Sequence, residues 1–277
     1  MAPEVHPTAA GAASPAPSAV AVGGSARPVP GPTSDPSARP TATITVHGDL
    51  VDFLSAERAT VEALLAESTT VKDTIESVGV PHVEVGLVRV DGDAVDPGRR
   101  LFGGERVEVH PRAGPWPDPV RFALDGHLGT LTRRLRLLGF DTWYRTDIDD
   151  ADLVAEAVAD HRIVLTRDIG LLKRGALTSG AWVRATDPDE QLLEVVDRFA
   201  LGGRLRPYTR CLRCNGDLRP ATAAEAAAAP EGARREHDRF QICADCARLY
   251  WRGTHTAGLD AVIARVRDHL GPDAGPG

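Results

Sequence analysis

Apolar residues in the central part of the chain repeat in two ways, as short continuous runs and as longer helical stripes. The continuous runs predict strands at residues 120–124, 141–145, 162–165 and 181–185. After the first run, leucines recur three, four and three residues apart on one helical face, at Leu128, Leu131, Leu135 and Leu138. Further helices are predicted near residues 150–158 and 189–199. This alternation predicts an α/β fold with a mostly parallel sheet and helices on its faces.

Residues 41–112 have the shorter alternation of a small α+β unit. Strands are predicted at residues 41–47, 51–54, 83–90 and 106–110. A short helix is predicted at residues 70–77, because Thr70 is a suitable N-cap, Asp73 follows three residues later and Gly79 ends the pattern.

The remaining segments differ in composition from these two units. Residues 1–40 contain nine Pro, ten Ala and no aromatic residue, which predicts a disordered tail. Helical spacing at residues 258–270 predicts a helix that packs on the body, followed by a fraying end. The predicted divisions are a tail at 1–40, an α+β domain at 41–112, a linker at 113–119, an α/β domain at 120–204, a cysteine module at 205–256, and a helix and tail at 257–277.

Charge is distributed unevenly over the 277 residues. The net charge of −7 argues against general binding of polyanions. Residues 41–120 hold seven Lys/Arg against fourteen Asp/Glu, whereas residues 204–254 hold ten Arg against six Asp/Glu, so a nucleic-acid surface is expected toward the C-terminal half. No stretch has the length and apolarity of a membrane span, and the N-terminus is a poor secretory signal, so a cytoplasmic protein without membrane contact is expected.

The four cysteines form two CxxC pairs separated by 28 residues: Cys211, Cys214, Cys243 and Cys246. Two thiolates from each pair can complete a tetrahedron, which predicts a structural Zn²⁺ site. Disulfide bonds are the alternative, and a reducing compartment favours zinc.

Three aspartates are placed by the pattern at one edge of the predicted sheet. Asp125 and Asp168 directly follow strands, and Asp150 begins the helix after another. Carboxyl ends of parallel strands meet at one edge, so the three carboxylates are expected to converge and to hold Mg²⁺ or Mn²⁺. As the alternative, Asp150 is an N-cap and Asp168 caps a turn. Further acids at lower rank are Asp147, Asp149, Asp187 and Asp189.

Several motifs in residues 120–254 resemble the Mut7-C RNase domain, a PIN-like nuclease that carries a zinc ribbon. They are FALDGHLG at 122–129, LRLLGFDT at 135–142, DDADL at 149–153, RIVLTRD at 162–168, RCLRCNG at 210–216 and YWRGTH at 250–255. The resemblance implies divalent-metal-dependent RNase activity, with Asp125, Asp150 and Asp168 as the catalytic acids. The fourth acid typical of PIN nucleases has no clear counterpart.

The preceding α+β domain resembles the ubiquitin-like β-grasp domains related to small sulfur carriers. The motifs are TVKDTI at 70–75, VRVDG at 88–92 and GGERVEV at 103–109. Sulfur carriers need a free C-terminal Gly-Gly, whereas here the chain continues beyond Gly104. A docking role toward a protein partner is therefore expected.

Basic residues near the predicted acids and in the cysteine module are candidates for binding RNA. They are Arg133, Arg136, Arg167, Lys173 and Arg252. The alternative is an ordinary solvated helix face. In the cysteine module, Tyr250 and Trp251 stand among arginines and suit base stacking, although Trp251 equally suits a small core.

The sequence thus predicts a ribonuclease that uses a carboxylate-held metal to hydrolyse RNA. One alternative is a non-catalytic RNA- or ribosome-binding adaptor that reads RNA through the zinc ribbon. Another is a sulfur-transfer or redox protein, which the internal Gly-Gly and the double CxxC disfavour.

Overall fold

The computed structural model describes residues 39–55, 58–253 and 256–271. The predicted tail, apart from its last two residues, lies outside the described residues. So do His255 and residues 272–277. Within the described part of the chain, no helix has the length and apolar character needed to cross a membrane.

The N-terminal module is a five-stranded mixed sheet with one helix. Its elements are β1 (Thr41–Val46), a 3₁₀ helix (Gly48–Phe53), β2 (Thr60–Leu64), α1 (Val71–Ser77), a 3₁₀ turn (His82–Glu84), β3 (Val85–Val90), β4 (Asp93–Ala94) and β5 (Arg106–Pro111). The strand order is β2-β1-β5-β3-β4, with β1 and β5 parallel and the other pairs antiparallel. This is a β-grasp arrangement, and alternate residues of the sheet pack with Ile75 of α1 in its core.

Two details of this module differ from the sequence prediction. Residues 51–54 belong mainly to the 3₁₀ helix rather than to a strand, because Leu50 and Phe53 both bury their side chains from one turn. Strand β2 was not predicted, because it is an edge strand and its Leu64 is 66% exposed. The capping box is confirmed: Thr70 Oγ1 accepts from the Asp73 amide, and the Asp73 carboxylate accepts from the Thr70 amide.

The central module is a parallel sheet with helices on its faces, as predicted. Its elements are β6 (Arg121–Leu124), α2 (Gly129–Leu137), β7 (Asp141–Tyr144), α3 (Asp150–Ala159), β8 (Ile163–Thr166), α4 (Ile169–Leu172), β9 (Gly180–Trp182) and α5 (Pro188–Arg198). The strand order is β7-β6-β8-β9, and every pair is parallel. The predicted leucine stripe is buried against Phe122 and Phe199 in the main core.

The C-terminal module is a three-stranded antiparallel sheet that carries the cysteines. Its strands are β10 (Leu218–Pro220), β11 (Phe240–Cys243) and β12 (Leu249–Trp251), in the order β10-β11-β12. The segment between the cysteine pairs forms two short helices, α6 (Ala223–Ala226) and α7 (Glu231–Glu236). The last helix, α8 (Ala257–Leu270), packs on the main core through Ile263 and Val266, which confirms its prediction.

The β-grasp module covers the edge strand β9 of the parallel sheet. Glu84, 1% exposed, accepts the backbone amide of Trp182 at 2.6 Å and forms an ion pair with Arg198. Nearby, the Phe53 and Trp182 rings are 5.0 Å apart. An open edge strand can pair with a strand of another molecule. This contact closes one edge of the sheet against such pairing.

Two more contacts join the same modules beside β9. Lys173 Nζ donates to the carbonyl of Glu76 at 3.0 Å, and His82 Nε2 lies 2.9 Å from the carbonyl of Leu177. Arg184, which lies over the Phe53 and Trp182 rings, also pairs with Asp49 and Asp52 at 3.1 and 2.9 Å. The β-grasp module is therefore packed against the central module, not merely linked to it.

Candidate active site and cysteine cluster

Asp125 lies where β6 ends, at the edge formed by the carboxyl ends of the parallel strands. Its Oδ2 accepts a hydrogen bond from Thr166 Oγ1 at 2.8 Å, and its Oδ1 lies 3.5 Å from the amide of His127. The Asp125 amide donates to the carbonyl of Leu165 on the neighbouring strand at 3.2 Å. The strand pairing thus fixes the Asp125 backbone, and Thr166 fixes its carboxylate.

Asp168 is held by the same threonine. The Asp168 amide donates to Thr166 Oγ1 at 2.9 Å, while Asp168 Oδ1 accepts from the Gly170 amide at 2.7 Å. Asp168 is thus the N-cap of α4, which confirms the capping role given as the alternative. Thr166 is fully buried, and Asp168 is exposed. The hydroxyl of Thr166 therefore joins the two acids, a role that the residue pattern does not predict. The available signal was a hydroxyl residue in the LTRD motif at the end of a buried strand.

Asp150 is the first residue of α3 and does not cap it. The N-cap is Asp149, whose carboxylate accepts the Asp152 amide at 2.8 Å, which corrects the prediction for Asp150. Asp150 Oδ2 instead accepts from Arg174 Nη2 at 2.9 Å. Among the described residues, Asp125, Asp150 and Asp168 are not in a group whose ligand atoms lie within 4.8 Å of one another. Thr166 joins two of the acids, and Asp150 is paired elsewhere.

The lower-ranked acids after β9 have structural partners. Asp187 caps α5 by accepting the Asp189 amide at 2.8 Å. Asp189 forms ion pairs with Arg134, at 2.8 Å, and with Arg265. Asp187 and Asp189 therefore have structural roles, as a helix cap and as a partner in ion pairs.

Arg136 lies inside the protein rather than on a substrate face. It is 4% exposed, and its guanidinium donates to the carbonyls of Thr142, Leu212 and Arg213 at 2.9, 3.2 and 2.9 Å. Burial lowers the pKa of Arg136, and the negative charge of the Cys211 and Cys214 thiolates opposes that shift. Arg136 therefore ties α2 to the first cysteine loop.

The other predicted cations have varied surroundings. Arg167 donates to the carbonyls that follow β9, including that of Arg184 at 2.8 Å, and Lys173 contacts the β-grasp module. Arg133 is exposed on α2. Arg252 is exposed, pairs with Asp260 at 2.9 Å, and lies over the Tyr208 ring at 4.8 Å from its centroid.

The four cysteine sulfurs lie within 4.8 Å of one another. The separation is 3.7 Å between Cys211 and Cys246, and 3.4 Å between Cys214 and Cys243. All four are free thiols, and sulfurs around one tetrahedral zinc are about 3.8 Å apart. The donor set therefore fits zinc.

Tyr250 acts on the acidity of this cluster. Burial raises the pKa of Cys211, but hydrogen bonds from the Tyr250 hydroxyl, at 3.0 Å, and from backbone amides outweigh burial and lower that pKa to about 6. Burial raises the pKa of Cys214. A thiol that ionises readily is suited to a metal ligand, since the thiolate is the ligating form.

A groove of about 1030 Å³ lies between the three-stranded sheet and α8. We call it the ribbon groove, and its basic and aromatic lining includes Arg210, Arg239, Arg248, Arg252, Arg267, Tyr208, Tyr250 and Trp251. Trp251 also contacts Phe240, with ring centroids 6.0 Å apart, so it packs on the sheet while lining the groove. Cations together with aromatic faces are the usual lining of a groove for single-stranded nucleic acid.

Gly103 and Gly104 serve a turn of the β-grasp module. Both have positive φ, 116° and 88°, a conformation that other residues rarely adopt. Gly104 donates its amide to the carbonyl of Thr41 at 2.7 Å, just before β5 begins. The Gly-Gly pair is thus internal and built into the fold.

Comparisons with known proteins identify the family of the chain. The family model of the Mut7-C RNAse domain matches residues 120–263, and that of the Mut7-C ubiquitin domain matches residues 39–116. No curated protein matches the chain. Similar solved structures include SAMP1 from Haloferax volcanii (14% identity, TM-score 0.22) and a putative molybdopterin converting factor, subunit 1, from Pyrococcus furiosus (19% identity, TM-score 0.22). Each match covers 27% of this chain and 99% of the other. The chain belongs to the Mut7-C RNAse domain family, with a Mut7-C ubiquitin domain preceding the RNAse domain.

Proposed function

We propose that this protein is a divalent-metal-dependent ribonuclease that hydrolyses RNA phosphodiester bonds. The observation that carries the proposal is the unit of Asp125, Thr166 and Asp168 at the carboxyl edge of the parallel sheet. In open α/β sheets this edge is where ligands bind. Membership of a family described as an RNAse domain supplies the reaction class.

The residues at this edge fit a hard divalent cation. Asp125 and Asp168 offer carboxylate oxygens, the ligands that Mg²⁺ and Mn²⁺ prefer. Asp150 would join them after exchanging its ion pair with Arg174. When bound, such an ion would polarise the phosphate and lower the pKa of a bound water.

The protein's own residues would position this chemistry. Thr166 holds the Asp125 carboxylate in one orientation by its 2.8 Å hydrogen bond. Arg174 is about half exposed beside Asp150, so its guanidinium would bind an RNA phosphate once the carboxylate turns away. Positioning of this kind accounts for much of the rate enhancement in phosphoryl transfer.

The ribbon groove would bind RNA at a place separate from the acids. Arg252 and Tyr208 form a cation–aromatic pair at its rim, and Arg248 and Tyr250 line its wall. We propose that the zinc ion of the cysteine cluster stabilises this module and takes no part in hydrolysis. The β-grasp module would bind a protein partner through a surface that does not face β9.

Metal-dependent cleavage of labelled single-stranded RNA tests the proposal. Wild type is assayed with Mg²⁺ or Mn²⁺ and with excess EDTA, beside Asp168→Asn. The asparagine retains an oxygen that can accept the Gly170 amide, so the fold should persist while the charge is lost. We expect cleavage in the presence of metal and at least about a hundredfold loss in the variant.

The matched control is Asp152→Asn, which removes an exposed carboxylate whose ion pair with Arg145 is 3.3 Å long. This control should cleave RNA at the wild-type rate. Equal cleavage by wild type and Asp168→Asn would overturn the assignment of Asp168. RNA binding without any metal-dependent cleavage would favour the adaptor function instead.

A further inference from the structure

A second group of metal-ligating side chains lies on the β-grasp module. His47 directly follows β1, and Glu108 and His110 belong to the adjacent parallel strand β5. The His47 amide donates to the carbonyl of Val109 at 2.9 Å, which fixes the ends of the two strands side by side. The three residues lie on the sheet face opposite the core, because the buried Val107 and Val109 alternate with Glu108 and His110, and the buried Val46 precedes His47.

The donor atoms of this group are already close together. One ligand atom from each of His47, Glu108 and His110 lies within 4.8 Å of the other two. The histidine rings are stacked, with centroids 4.3 Å apart and planes 5° from parallel. Donors around one tetrahedral zinc are about 3.3 Å apart. Because an imidazole nitrogen binds a metal in the plane of its ring, at least one of the stacked rings would turn when the ion binds.

One atom of the group has an unmet hydrogen-bonding requirement. His47 Nε2 is buried and has no hydrogen-bond partner among the described residues. An unpaired buried polar nitrogen is destabilising, so native proteins rarely keep one without a ligand, a water or a function. A bound cation would satisfy this nitrogen directly.

We propose that His47, Glu108 and His110 bind a zinc ion on the outer face of the β-grasp sheet. Two imidazoles and one carboxylate suit Zn²⁺, whereas Mg²⁺ and Ca²⁺ prefer oxygen ligands throughout. The neighbouring cation Arg89 is directed elsewhere, with its guanidinium donating to the Gly92 carbonyl at 2.9 Å. Three protein ligands leave a fourth position for water or for a donor from a docked partner. The site is independent of the proposed ribonuclease activity.

Titration of the full-length protein with zinc tests this site. The cysteine cluster is first loaded with one equivalent, and further uptake is followed by calorimetry and by the NMR signals of the histidine ring protons. We expect a second zinc to bind, with shifts of the His47 and His110 signals. Loss of an outer-shell partner alone weakens metal binding about 10–100-fold, so His110→Ala should weaken the second event at least that much.

Two further variants keep the test decisive if His110→Ala does not fold. Glu108→Gln preserves side-chain shape and should also weaken the second event. Glu62→Gln, on the neighbouring β2 and bonded to Thr43 Oγ1 at 2.7 Å, removes a carboxylate without touching the site and should leave uptake unchanged. The proposal is overturned if wild type binds no second zinc, or if Glu108→Gln binds it as tightly as wild type.

Discussion

Replacing Thr166 by valine would remove the hydroxyl that joins Asp125 to Asp168 while nearly preserving side-chain volume. The lost contacts are a hydrogen bond to a carboxylate at 2.8 Å and one from a backbone amide at 2.9 Å. A hydrogen bond to a charged group contributes about 1.5–3 kcal/mol and an uncharged one about 1 kcal/mol. Because Asp168 is exposed, water would replace part of the loss, and we expect Thr166→Val to lower the free energy of unfolding by about 2 kcal/mol.

The effect on catalysis should be larger than the effect on stability. Without the threonine, the Asp125 carboxylate can rotate, and small displacements of catalytic groups cost up to about a hundredfold in rate. Urea unfolding measures stability, and initial rates of RNA cleavage at saturating metal measure catalysis.

Thr166→Ser is the matched control for this prediction. It keeps the hydroxyl and loses one buried methyl group, which costs about 1 kcal/mol. We expect the serine variant to retain most of the cleavage rate and the valine variant to lose most of it. Full activity of Thr166→Val would refute the view that this hydroxyl orients the acids.

Two other predictions concern the cysteine module and the sheet beside it. Cys243→Ser should abolish zinc binding by the cysteine cluster and lower the temperature of the thermal transition. Substitution of cobalt for zinc, followed by thiolate charge-transfer absorption, measures the binding. An unchanged spectrum and an unchanged transition would contradict this prediction. Asp141 is partly buried, which raises its pKa, but bonds from Arg162 and Asn215, both at 2.7 Å, outweigh burial and lower it. Its stabilising effect is therefore present above about pH 4 and lost as the pH falls through the folded-state pKa. The free energy of unfolding, measured with urea at a series of pH values, should fall less steeply toward acid pH in Asp141→Asn than in wild type. Equal dependence on pH in the two proteins would count against this pairing.

Much of the fold could be predicted from local patterns. The leucine stripe of α2, the short apolar runs of the parallel strands and the Thr70 capping box all depend on residues close together in the chain, and the structure contains each of them. The cysteine spacing likewise predicts a cluster that the fold brings together. The local sequence pattern does not predict β2, because an exposed edge strand has too few buried positions to show a clear alternation.

The candidate site was harder to predict because its contacts join distant segments. Arg136 lies off the leucine stripe of α2, a position typical of an exposed cation, yet two of its three carbonyl partners are 76 and 77 residues away. Thr166 reaches Asp125 across 41 residues. The group of His47, Glu108 and His110 exists only through the parallel pairing of β1 and β5. No residue spacing predicts contacts of this kind.

The burial of Glu84 against β9 couples the stability of the parallel-sheet domain to the presence of the β-grasp domain. The carboxylate neutralises Arg198, which is 14% exposed, and replaces the missing strand partner of the Trp182 amide. Glu84→Gln in the whole chain would leave the Arg198 charge without its partner inside this contact, and loss of one partner of a buried pair costs about 3–5 kcal/mol. A fragment that begins after the linker would lack Glu84 altogether. The same fragment would present the uncovered edge of β9 to other copies of itself. Removal of the β-grasp domain should therefore destabilise the parallel-sheet domain and make it prone to associate through β9.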